Sequence, residues 1–173
     1  MKKVAVLSMT FLLAMSMVMG QATKKKLTPL KKLEGKEINV MAKNSFITAF
    51  GNLPNVKWER SANFDEALFM KNGKEMKAYF DYEGKLVGTT THVTFADIPA
   101  NAQKEIQSKY KDYTIVPAVV FFDDNEVNDT DMMLYGVQFE DADNYFVELT
   151  KGTKKIVLQV NTEGMVFFFK ELS

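Results

Sequence analysis

His92 is the only histidine in a chain of 173 residues that contains no cysteine. Those two counts remove most of the usual chemistry. A thiol nucleophile is absent, and a serine or threonine nucleophile would need His92 as its base. His92 lies in Thr89-Thr90-Thr91-His92-Val93-Thr94-Phe95, a strand-like run that sets it on one face with Thr90 and Thr94. No nucleophile-elbow pattern accompanies it. Zinc needs three or four nitrogen or sulfur ligands, which this composition does not supply. Neither G-x-G-x-x-G nor the phosphate-binding G-x-x-x-x-G-K pattern occurs, so no nucleotide cofactor is expected. Carboxylates are plentiful: Asp123, Asp124, Asn125, Glu126, Asn128, Asp129 and Asp131 fall within nine residues. Calcium takes six to eight oxygens, but the EF-hand spacing fails for want of a glycine at the sixth position and a glutamate at the twelfth. The run reads as a solvated insertion between two strands, and Glu140, Asp141 and Asp143 as a turn. Paired carboxylates could serve a glycosidase, yet no spacing here favours one. The residues predict a non-enzymatic protein without cofactor or metal.

The elements that would carry any site are patterned twice. Asn72 to Val87 and Lys151 to Val166 run in parallel about 80 residues apart. Each has a glycine turn, an alternating apolar run, an Asp/Asn-x-Glu-Gly tip and a second apolar run, and such repeats are sought first. Met76, Ala78 and Phe80 match Ile156, Leu158 and Val160; period-two alternation marks half-buried strands. Gly84 and Gly164 are expected at hairpin tips with positive φ. Short helices precede each unit, Ala42 to Phe50 with Phe46, Ile47 and Phe50 on one face, and Pro99 to Tyr110 with Ala102, Ile106 and Tyr110 in line. Pro99 suits a first helical position. The expected strands are Val56 to Arg60, Phe64 to Met70, Thr114 to Phe122, Met133 to Glu140 and Tyr145 to Thr150. Helix then β-meander, twice, predicts an α+β fold with a continuous antiparallel sheet packed on helices.

The start of the chain predicts its compartment. Lys2 and Lys3, the apolar Val4 to Met19 and the short Val18-Met19-Gly20 form a signal-peptide pattern over residues 1–20, cleaved near Gly20 or Ala22. The apolar run is shorter than the roughly 20 residues of a spanning helix, so no membrane span is expected after cleavage. The product is expected to be periplasmic or secreted. Residues 21–40 carry Lys24, Lys25, Lys26, Lys31, Lys32 and Lys36 and read as a polar, solvated tether. Basic and acidic residues balance at 22 each. No basic excess exists to draw nucleic acid or an anionic membrane. At 46% hydrophobic residues and 14 phenylalanines the composition is globular.

Several residues carry a resemblance. Pro54-Asn55-Val56-Lys57-Trp58-Glu59, the hairpin Phe80 to Val87, and Ile98-Pro99-Ala100 leading to Ile106, Tyr110, Tyr113 and Ile115 resemble the PepSY-like family, also described as β-lactamase-inhibitor-like (BLIP-like). The resemblance covers residues 40 to 173, with one unit over 41–97 and a second over 98–173. It implies a tandem module of a helix and four strands, two sheets joined into one surface, and no catalytic residue. The insertion at Asp123 to Asp131 departs from that pattern.

Alternation also divides the sheet's faces. With Met76, Ala78 and Phe80 facing the core, Lys77, Tyr79 and Asp81 point the other way, as do Val157, Gln159 and Asn161 in the second unit. Lys77, Tyr79, Asp81, Val157 and Gln159 are the candidate partner-binding residues; the plainer alternative is an ordinary solvated face. Met165 to Phe169 reads as a strand buried on both sides, and Trp58 as core. The function expected is a non-catalytic binding module for another envelope or secreted protein, including an enzyme it would inhibit. The alternative is an envelope protein that binds or senses a small molecule or peptide.

Overall fold

The computed structural model describes residues 26–172. The expected signal peptide lies outside the described residues. Asn39 starts the first helix, α1 (Val40–Phe50), by accepting the Met41 N–H on its side-chain oxygen at 2.8 Å. That satisfies one of the donors a helix start leaves unpaired. Ala42 and Phe46 turn inward at a spacing of four, while Ile47, expected beside them, is exposed. A meander follows: β1 (Lys57–Arg60), β2 (Asp65–Lys71), β3 (Lys74–Phe80) and β4 (Leu86–Thr94). A single 3-10 turn leads to α2 (Ala100–Lys109), which Pro99 caps from outside in extended conformation. The second half holds β5 (Thr114–Ile115), β6 (Ala118–Asp124), β7 (Met132–Leu134), β8 (Val137–Phe139), β9 (Asn144–Lys151), β10 (Lys154–Asn161) and β11 (Val166–Leu172).

These elements make a mixed α+β fold on one open antiparallel sheet, ordered β1-β2-β3-β4-β6-β9-β10-β11, with β5 also paired to β9. Two expected strands are corrected. The run from Thr114 to Phe122 is broken at Val116-Pro117, because proline has no N–H for a ladder; β5 and β6 flank the break. The run from Met133 to Glu140 never joins the main sheet. Tyr135 and Gly136 both take positive φ, 52° and 72°, and close β7 and β8 into a separate hairpin. Positive φ at both central residues is what a two-residue hairpin turn needs.

One sheet face is covered by the helices. Phe46 packs on Trp58, Phe69 and Phe80 under α1, and Ile106 joins Val119, Val147, Leu149 and Leu158 under α2. Part of the other face is covered by the β7–β8 hairpin, whose Phe139 contacts Phe122, Phe146 and Phe169 at ring centroid distances of 5.3, 5.0 and 5.9 Å. Alternation therefore separates Tyr79 and Val157 from the helix-covered face, but the second face is only partly open. Tyr79 and Val157 belong to this second core. Phe167 and Phe168, expected to be buried with the rest of their strand, are 49% and 60% exposed because β11 is a sheet edge.

Residues 27–39 of the expected tether are mostly exposed but anchored at several points. Leu30 packs into the second core, and the Leu33 N–H donates to the Ala62 carbonyl at 2.9 Å. The segment ends where the Asn39 N–H donates to Asp65, a fully buried carboxylate that Arg60 grips through both oxygens at 2.7 and 2.8 Å. A buried charge is tolerated only with such partners.

The two hairpin tips match in detail. Gly84 N–H donates to the Asp81 carbonyl and Gly164 N–H to the Asn161 carbonyl, each at 2.9 Å. Both glycines have positive φ, 77° and 80°. Asparagine clasps each tip from the start of a helix: Asn39 donates to the Tyr82 carbonyl, and Asn101 to the carbonyls of Glu163 and Gly164. A Cβ on Gly84 would meet the Ala42 backbone nitrogen at 2.6 Å, whereas one on Gly164 would meet the Asn101 side chain, which can rotate away. Gly84→Val and Gly164→Val are each expected to lose about 1–3 kcal/mol from backbone strain, with Gly84→Val the more damaging. Denaturant unfolding of both variants checks this; two unchanged midpoints would refute the assignment of these turns.

Candidate functional site

Because the β7–β8 hairpin covers only part of the second face, a groove of about 250 Å³ remains beside it. Its floor is Leu68 of β2, Lys77 and Tyr79 of β3, Thr90 and His92 of β4, and Val120 of β6; Leu134 and Tyr135 of the hairpin form a wall. Strand alternation delivers these side chains to one face, and pairing of β3 with β4 sets Lys77 opposite Thr90.

The groove's polar groups are already engaged. The Lys77 ammonium lies 2.9 Å from Glu66. Burial pulls its pKa down, but the hydrogen bond and charge of Glu66 outweigh that and leave it above the ordinary lysine value. Tyr79 Oη and Thr90 Oγ1 share a hydrogen bond of 3.2 Å. Burial pushes the Tyr79 phenol up, as it does that of Tyr135, whose hydroxyl donates to Glu148 at 3.0 Å beside that carboxylate's charge. Both phenols are thus neutral near pH 7. His92 is exposed, and among the described residues no hydrogen bond joins it to a hydroxyl or carboxylate. The groove can present shape, an ion pair and hydroxyls; a nucleophile paired with a base is not assembled there.

Of the five expected partner-binding residues, the structure brings Lys77 and Tyr79 to this groove. Tyr79 is 7% exposed, so only its edge is reachable. Asp81 and Val157 are buried and unavailable as a free surface. Asp81 instead holds its own turn, accepting the N–H groups of Glu83 and Lys85 on Oδ1 and the amide of Asn128 on Oδ2. Gln159, half-buried, donates to Asn144 at 2.9 Å. The wall residues Leu134 and Tyr135 were not singled out by sequence; the Gly136 turn signal was the available clue.

The acidic run is also structural in large part. Asn128 donates to Asp81 and to the Leu86 carbonyl. Asp131 is buried, accepting the Thr28 N–H at 2.7 Å and the Gln138 amide at 3.1 Å. Among the described residues no three histidine, cysteine or acidic side chains are grouped so as to hold a metal ion.

Burial raises the pKa of both Asp123 and Asp124 at the end of β6, and Asp124 is the more strongly perturbed. Its Oδ1 is enclosed without a hydrogen-bond partner. Burial, then the charges of Asp141 and Asp143, push its pKa from 3.8 up to about 6. A carboxyl whose folded pKa is raised contributes stability that is complete below its unfolded value and is lost as pH rises through the folded one. The contribution of Asp124 to stability should therefore fall between pH 4 and pH 7. Asp124→Asn should melt above the parent at pH 7.5, and this advantage should close toward pH 4. Melting curves across that range check it; an advantage that does not change with pH would show that Asp124 is not the group responsible.

No protein-family model matches the chain, and no curated protein does. Solved structures match its fold. A BLIP-like protein from Bacteroides fragilis is 18% identical, with a TM-score of 0.59 over 79% of this chain and 87% of that one. A DUF2874 family protein from Bacteroides uniformis is 14% identical, with a TM-score of 0.61 over 79% and 89%. A protein from Bacteroides eggerthii, provisionally described as periplasmic, is 13% identical, with a TM-score of 0.60 over 79% and 88%. At these identities the likeness is one of fold. The chain has a BLIP-like α+β fold, and no described helix is long and apolar enough to cross a membrane.

Proposed function

We propose that this chain is a non-catalytic binding module of the periplasm or the cell exterior, which holds a partner protein by taking a protruding side chain or loop into the groove beside the β7–β8 turn. The observation that carries this reading is the groove itself, floored by paired strands and walled by Leu134 and Tyr135. The groove's volume, about 250 Å³, is at the small end of the roughly 300 to 1,000 Å³ of small-molecule pockets. A cleft of that size suits one or two side chains of a larger partner, as anchoring pockets at protein interfaces do.

The export pattern in residues 1–20 and the fold shared with the B. eggerthii protein support the compartment. The inhibitor form of the proposal, with an extracytoplasmic enzyme as partner, draws its support from the shared fold of the BLIP-like protein alone, and fold does not determine function. Two units, 41–97 and 98–173, each built as PepSY-like helix plus meander, are supported by the matching Gly84 and Gly164 turns.

Substitutions that fill the groove without touching the core test the proposal. Leu68→Arg and His92→Trp are expected to keep the parent's melting temperature. Each should weaken an isolated envelope partner by about 1–2 kcal/mol, roughly tenfold in Kd. A partner that binds both variants as tightly as the parent would place recognition elsewhere. A melting shift caused only by a small metabolite, with no protein partner captured, would favour the alternative.

A further inference from the structure

The two ends of the sheet are finished differently. β1 spans four residues and bears Lys57, Glu59 and Arg60, a short, charged edge of the kind that discourages pairing with other chains. β11 spans seven residues and exposes Phe167 and Phe168, with Met165 53% exposed at its start. Phe167 pairs with Gln159 and Phe168 with Leu158, so the two rings stand on opposite faces of the sheet. The free backbone groups of this edge can be placed. The Asn161 N–H donates to the Met165 carbonyl, and the register runs unbroken from Val160↔Val166 to Leu158↔Phe168. Backbone groups of an antiparallel strand alternate between its two neighbours. Met165 and Phe167 therefore turn toward β10, and Val166 and Phe168 present N–H and C=O outward. Beyond Phe168 a bulge interrupts the register and ends the straight segment.

We infer that β11 is a self-association edge whose occupant is the β11 of a second copy, paired antiparallel about a two-fold axis through Phe167. The geometry is self-complementary. In that register Val166 faces Phe168 of the other copy and exchanges both backbone hydrogen bonds with it. Phe168 does the same with the other copy's Val166, so all four outward groups of the segment are satisfied. Phe167 meets its own counterpart between them, an aromatic cross-strand pair on one face, while Val166–Phe168 pairs fill the other. Shared two-fold pairing of this type is the isologous contact commonest among homodimers. Without Lys2 and Lys3 of the expected signal peptide, the 22 basic residues fall to 20 against 22 acidic ones, a net charge near −2 that opposes pairing only weakly. A contact limited to three residues on each side gives a weak, concentration-dependent dimer rather than an obligate one.

Because Phe167 meets itself, the register has a specific signature. Sedimentation of the purified protein over a concentration series should show reversible dimerisation. Phe167→Lys and Phe167→Glu should each raise the dimer dissociation constant at least about tenfold, since like charges then stand directly opposite. An equimolar mixture of the two variants should recover dimers, now heterodimers. In the parent, amide exchange at Val166 and Phe168 should slow as concentration rises while that of exposed β1 stays constant, a readout that needs no variant to fold. A parent that stays monomeric up to its solubility limit, variants that dimerise as well as the parent, or a mixture that fails to recover dimers would each overturn the inference.

Discussion

Everything in this molecule hangs on the pairing of β4 with β6. Seven rungs, from Gly88↔Asp124 to Thr94↔Ala118, join a half organised around α1 to a half organised around α2. At its first rung the two strands lie against each other so closely that a Cβ on Gly88 would come within 2.6 Å of the Asp123 carbonyl and the Phe122 ring. Glycine here serves close approach rather than an unusual φ. The junction lets two small cores, each marginal alone, share one sheet, and a sheet gains from every strand added beyond a hairpin.

The same junction supports the layer above it. Phe122 of β6 and Phe146 of β9 lie side by side on the face away from the helices and give Phe139 its seat. The β7–β8 hairpin is too short to persist alone, so it depends on that aromatic bed and on polar anchors. Tyr135 donates to Glu148, Lys170 donates to the Tyr135 carbonyl, and Gln138 reaches both Asp131 and the Thr28 carbonyl. The anchors lie mainly over the second half of the sheet. Beside it, around Leu68, Lys77 and His92, the strands remain open, and the groove is the step between the two levels.

Local periodicity made much of this legible. Both helices, the hairpin glycines and the division of β3 and β10 between two faces follow from spacing, because alternation is a property of a single strand. What spacing cannot encode is which segment returns to cover a face. Met133 to Glu140 alternates as a sheet strand would, and its turn is masked by tyrosine in a left-handed conformation that favours glycine or asparagine. Tyr79 and Val157 were thus separated from the helix-covered face but given the wrong environment, and Asp81 is a turn residue. Pro117 was different, for proline inside an expected strand is itself a local signal of a break. Phe167 and Phe168 show the remaining gap: exposure at an edge depends on strand order, which is a property of the whole sheet.

The candidate site was the least legible part because residues that look reactive in sequence are used to hold the fold. Asp65 receives Arg60 and the start of α1, Asp81 receives its own turn and Asn128, and Asp131 receives the incoming segment at Thr28. Each is at most 4% exposed. A buried carboxylate that accepts two or three hydrogen bonds is stabilised as a pin and has little capacity left for a substrate. With no cysteine and a single exposed histidine, stability in the compartment proposed must come from such pins and from packing. What the groove presents is contour, one ion pair and a few hydroxyls. Those groups recognise by fit, and fit is assembled by strand order and a folded-back hairpin, so it leaves no motif for a sequence to display.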